Sequence, residues 1–145
     1  MLWRRPSTAE TSRVAARNRT PGRVPTFHVW EGVTQYLREA GVRATFDFLR
    51  GAAPGSQRVF TYVRRDFIAG TELYGLEGLH RRLVGEQHLW HFGWIPQEIG
   101  EFLGAYGWRT VEHLGTDELT ARYVTPTGRA MTVMPIERLV LAEKI

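Results

Sequence analysis

A chain of 145 residues with 43% hydrophobic content is long enough for one domain with a real core and too apolar for disorder. It contains no Cys, which excludes disulfides and thiolate chemistry, and no apolar run nears the roughly 18 residues needed to span a bilayer. The net charge of +4 is confined to the start: residues 1–24 hold six Arg against the single acid Glu10, whereas the rest carries 13 bases and 14 acids. A phosphate-binding domain carries its positive patch on the folded surface, so nucleic acid is not an expected partner.

Residues 1–24 are rich in Arg, Ser, Thr and Pro and lack apolar periodicity, which predicts a disordered or weakly structured basic tail. An organelle transit segment, or residues that do not belong to the fold, are the alternatives there. No basic n-region is followed by an apolar stretch, so a cytoplasmic location is expected. The domain is expected over residues 25–145.

Its first stretch, Thr26-Phe27-His28-Val29-Trp30, reads as a buried strand that stops at Glu31 and Gly32. In an open α/β sheet, ligands bind past the carboxyl ends of the strands. Glu31 stands at such an end; it either faces a ligand or caps the next turn. From Arg38 to Arg50, Val42, Phe46 and Leu49 recur at the spacing of an amphipathic helix, and Pro54-Gly55-Ser56 marks a turn. Arg58–Val63 is β-branched and aromatic and apolar on both sides, as in a strand covered by helices on both faces. Charge at Arg64-Arg65-Asp66 ends it.

Thr71 is positioned to cap a helix carrying Leu73, Leu76, Leu79, His80 and Leu83. Residues 87–94 form an aromatic loop. Pro96 opens a helix with Ile99, Phe102, Leu103 and Tyr106 inward, and Gly107 closes it, the asymmetry that helices favour. Trp108–Leu114 is a strand, Asp117 caps a short helix through Ala121, Pro126-Thr127-Gly128 is a turn, and Ile136–Glu143 is a last strand. Alternating strands and helices imply a mostly parallel sheet. The last connection holds no long crossover helix, which favours an antiparallel return.

No Ser-His-Asp or Cys-His arrangement is legible. His88 and His91 stand three apart without the further ligands of a zinc pattern, so no metal site is expected. Tyr36 either lines a pocket or belongs to the core. Tyr62, Arg64 and Arg65 follow or close the second strand, where an Arg can pair bidentately with a carboxylate or simply form a solvated ion pair.

The run Phe27-His28-Val29-Trp30-Glu31-Gly32-Val33-Thr34-Gln35-Tyr36-Leu37, then Pro54-Gly55-Ser56 leading to Phe60-Thr61-Tyr62, then Phe92-Gly93 before Pro96, and the ending Leu119-Thr120-Ala121-Arg122-Tyr123 to Glu143-Lys144, resemble one family in order and spacing. These residues are similar to the C-terminal half of the actinobacterial S-adenosylmethionine-dependent methyltransferases related to leucine carboxyl methyltransferases, over about residues 25–145. The resemblance implies a Rossmann-like class I methyltransferase sheet of seven strands, with this chain supplying strands four to seven and the last antiparallel. It implies that Glu31 contacts the S-adenosyl-L-methionine cofactor. It carries over no further residue; Tyr36 by its place past the crevice edge, and Tyr62, Arg64 and Arg65 by following a strand where methyltransferases often place acceptor contacts, are the candidates for the acceptor, a small molecule or peptide accepting the methyl group at oxygen. Methyl transfer from a sulfonium requires mainly alignment, so no catalytic acid or base is expected.

The family's glycine-rich loop and the acidic residues of its first strands find no match in residues 1–24. Three strands with their helices need on the order of a hundred residues. The N-terminal half is therefore expected to be missing and the chain alone to be inactive. The alternative is a non-catalytic interaction module that pairs through an exposed sheet edge, by self-association or with a complementing half.

Overall fold

The computed structural model describes residues 24–145, so the basic tail lies outside the described residues but for Val24. Four strands form one sheet: β1 (Phe27–Trp30), β2 (Gln57–Val63), β3 (Trp108–Leu114) and β4 (Glu137–Lys144), in the order β1-β2-β4-β3. β1 and β2 are parallel, and β4 is antiparallel to both β2 and β3. The fold class is α/β with a mixed sheet. The β3–β4 connection holds only helical turns and no long crossover helix, in keeping with the antiparallel β4.

The amphipathic helix α1 (Glu39–Leu49) buries Val42, Phe46 and Leu49, the three residues that its spacing marks. Across the same sheet face, side chains alternate inward at Arg58, Phe60 and Tyr62 on β2 and at Val140 and Ala142 on β4. Pro96–Glu98 forms one 3₁₀ turn and runs into helix α4 (Ile99–Gly104), numbered after two short helices introduced below. Ile99, Leu103 and Tyr106 close the core over Trp94 and Trp108. Phe46 is the hub, with the rings of Phe60, Trp94, Phe102, Tyr106 and Trp30 at 5.8, 6.5, 5.0, 5.5 and 6.0 Å, most of them edge-on.

Several boundaries differ from the sequence reading. After helix α2 (Arg65–Ile68), Thr71 caps nothing forward; its hydroxyl donates back to the Asp66 carbonyl. Gly70, Tyr74 and Gly75 all have left-handed φ, which interrupts a helix, so α3 starts only at Glu77 and runs to His80 before widening into a π-helical turn over Arg81–Glu86. Helix α5 (Thr116–Leu119) starts one residue before Asp117, and the Glu118 carboxylate accepts from the Gly115 amide at its start. It widens into a π turn over Thr120–Val124. The last strand starts at Glu137, one residue late, because Ile136 is buried in the second core and its carbonyl accepts from the Arg64 amide.

Two expectations of burial are corrected. β1 is an edge strand with Phe27 57% and Val29 65% exposed, not a buried one. Nor is β2 covered on both faces throughout. Its second face is covered at the carboxyl end, where Val63 joins Phe67, Trp90 and Ile136 with Leu79 and Leu83 against them. Lower down, the row Val29, Val59 and Leu141 crosses three strands with Val59 and Leu141 only half-buried. Among the described residues nothing pairs with the outer edge of β1.

Candidate functional site

The carboxyl ends of β1 and β2 and the loops that follow them form the rim where ligand-binding side chains are expected. Glu31 is the first residue past β1 and is exposed; among the described residues it makes no ion pair. The turn after it is stitched to β2. The Gly32 amide donates to the Thr61 hydroxyl at 2.9 Å, and the Thr34 hydroxyl donates to the Thr61 carbonyl at 3.0 Å. Thr34 and Gln35 are buried, and the Gln35 carbonyl accepts from the His91 amide at 2.7 Å, which ties the aromatic loop to the rim.

Tyr36 is half-exposed, its ring edge-on to Trp90 at 6.2 Å. Arg64 is occupied: its guanidinium donates to both Asp66 oxygens, with Nη2–Oδ2 at 2.7 Å, and lies over the Tyr74 ring. Tyr74, held at φ 55°, donates its hydroxyl to the same carboxylate at 2.7 Å. Burial pushes the Asp66 carboxyl up, but the donors outweigh that, chiefly Arg64 and Tyr74, and hold it below its ordinary value. Arg65 pairs with Glu98 at 3.1 Å and donates to the Gly93 carbonyl.

Arg65 also lines an open polar cleft of about 560 Å³ with Arg38, Glu39, Arg43, His91, Phe92, Gly93 and Glu98. Within it Arg43 donates from Nε and Nη2 to the one oxygen Glu39 Oε1, whereas Arg38 has no ion pair among the described residues. Of the five residues singled out from sequence, the structure thus brings only Arg65 to the cleft. Glu31 sits at the β1 edge, and Tyr62 lies elsewhere in the core.

Tyr62 belongs to a network with no sequence signal. It is fully buried, and its hydroxyl is 2.8 Å from His113 Nε2, which also accepts from Arg138 Nε at 3.1 Å. An arginine Nε–H can only donate, so Nε2 carries the lone pair and His113 holds its proton on Nδ1. Burial pushes the Tyr62 phenol well up. Burial, then the Arg138 charge, pushes His113 below the ordinary imidazole value of 6.5. The native state therefore prefers neutral His113. The stability this adds is whole above pH 6.5 and is lost as pH falls toward the lowered native value. The thermal midpoint is expected to drop between about pH 7.5 and 5.5, before most carboxylates titrate. His113→Gln, which keeps an acceptor without a titration, should flatten that drop; an unchanged slope would show that His113 is not responsible.

His88 and His91 are both exposed on the aromatic loop. Among the described residues no group of three or more His, Asp or Glu is arranged to hold a metal ion, and no helix is long and apolar enough to cross a membrane. The chain matches no protein-family model and no curated protein sequence.

Proposed function

We propose that residues 25–145 are the second half of a Rossmann-like S-adenosylmethionine-dependent methyltransferase, acting on an oxygen of a small molecule or peptide, and that cofactor binding depends on a complementing segment. The motif resemblance motivates this, and one structural observation carries it: a mixed sheet in which the last strand lies antiparallel between β2 and β3, and whose first strand ends at an exposed carboxylate on an open edge. Glu31 fits as an acceptor for a polar N–H or O–H group of the cofactor. The described residues around it offer one wall, since β1 has no outer neighbour. The cofactor would supply its own leaving group, and the protein's part is to align the acceptor and exclude water. Arg65 and Arg38, which has no ion pair among the described residues, are the cleft side chains best placed to hold a polar acceptor.

A second function fits the same edge. Unpaired strands invite another chain, and Phe27 and Val29 on β1 are exposed beside it. A non-catalytic module would associate with itself or a partner there without needing the cofactor.

Titration calorimetry with S-adenosylhomocysteine separates the two. The chain alone is expected to show no micromolar binding. Mixed with the N-terminal half of a methyltransferase of that family, it is expected to bind, and Glu31→Ala in that assembly should weaken binding about tenfold, the loss of one charge-assisted hydrogen bond. Micromolar binding by the chain alone would refute dependence on a complement. An assembly that forms but never binds the cofactor leaves the interaction module.

A further inference from the structure

We propose that Arg58 and His28 hold a small monovalent anion, of about the size of chloride, inside the helix-covered face of the sheet. This is independent of the methyltransferase assignment. Arg58 is only 2% exposed, and its Nε and Nη1 are enclosed without a hydrogen-bond partner. It makes no ion pair with any carboxylate among the described residues. Buried charges are ordinarily paired, because an uncompensated one is costly.

Three rings lie over the guanidinium, Trp30 at 4.3 Å, Phe46 at 4.6 Å and Phe60 at 5.7 Å. Ring faces stabilise the cation through its flat sides, but they leave the in-plane N–H groups without acceptors. Burial pulls the Arg58 pKa down to about 10, so it stays protonated at neutral pH.

The groups beside it can donate as well, His28 when its ring proton sits on Nε2 and Trp108 always. His28 is the partner of Arg58 across the β1–β2 pairing, and its Nε2 is enclosed and unpartnered. The Trp108 ring stands edge-on to His28 at 6.5 Å, and its Nε1–H, which can only donate, is also enclosed and unpartnered. A water would satisfy some of these donors but leave the charge of Arg58 uncompensated. An anion does both, and a small one fits best because the nitrogens it would reach are enclosed.

Thermal unfolding of the full chain at fixed ionic strength tests this, with gluconate, too large to enter, replaced stepwise by chloride. The midpoint is expected to climb saturably by about 4 °C between roughly 10 mM and 500 mM chloride, the linkage effect of a ligand taken up only by the native state. Excess broadening of the chloride magnetic resonance signal should appear with folded protein and be displaced by bromide. Arg58→Met, which keeps an apolar stem under Phe46, should lose both effects. Should that variant fail to fold, the displaceable broadening of the native protein decides alone. Equal midpoints in the two salts, an undiminished chloride effect in Arg58→Met, or no excess broadening would each overturn the assignment.

Discussion

Replacing Gly93 by alanine is expected to destabilise the protein by about 3 kcal/mol or more, a penalty of the overpacking class. A Cβ at this position would stand 2.6 Å from the Val63 carbonyl oxygen, 2.9 Å from the Arg65 nitrogen and 3.0 Å from the Arg64 carbonyl carbon. All three are backbone atoms of the β2–α2 junction, so no side chain can swing away to make room. The close approach lets the loop run beside β2, with the Trp94 amide donating to the Val63 carbonyl at 3.2 Å and the Arg65 amide to the Trp94 carbonyl at 3.0 Å. Those bonds place Phe92 and Trp94 in the main core and hold the Gly93 edge of the cleft. Urea unfolding of Gly93→Ala beside Gly100→Ala is the measurement. Gly100 lies in α4 with nothing within 4 Å of an added Cβ, so its change should be neutral or stabilising by up to about 1 kcal/mol. Equal effects at the two sites would mean that the approach of the loop to β2 is not as tight as the structure has it.

Truncating Phe46 to alanine is expected to cost about 3–5 kcal/mol. Against a typical domain stability of about 5–15 kcal/mol, that leaves little margin. The ring is fully buried and touches aromatic groups from β1, β2, the loop before Pro96 and α4, so its loss cannot be filled by one neighbour shifting. It also removes one of the ring faces over Arg58. Phe48, two residues on along α1, is 59% exposed, and Phe48→Ala should change stability by no more than about 0.5 kcal/mol. Chemical denaturation of the pair separates the hub from simple loss of a phenyl group; similar costs would sink the idea that the core converges on Phe46.

The elements that could be read from the chain were those written in short-range signals. Val42, Phe46 and Leu49 repeat with the helix period, and α1 buries those three. Gly107 closes the helix before β3, and the bounds of that strand, Trp108–Leu114, are the ones read from the chain. Glu31 was legible as a strand end because a glycine follows it directly. The helix expected from Thr71 shows where such signals mislead. Leu73, Leu76, Leu79 and Leu83 do join one cluster, yet left-handed backbone at Gly70, Tyr74 and Gly75 separates the first two from α3. Tyr74 is held there by its bond to Asp66, a contact no periodicity encodes.

Local pattern alone therefore settled the alternation of strands and helices and many of their ends, because turn chemistry and side-chain period act within a few residues; the lack of a long crossover helix favoured the antiparallel sense of β4. Folding in three dimensions decided that β1 lies at an open edge and that one sheet face is partly bare. It also paired Tyr62 with His113 from 51 residues away and sealed Arg58 among aromatic rings without a counter-charge among the described residues. Those outcomes depend on which distant side chains meet and how much water they exclude. The protonation of His113 and the charge of Arg58 are set by that exclusion, a property of the assembled interior rather than of any single stretch of chain.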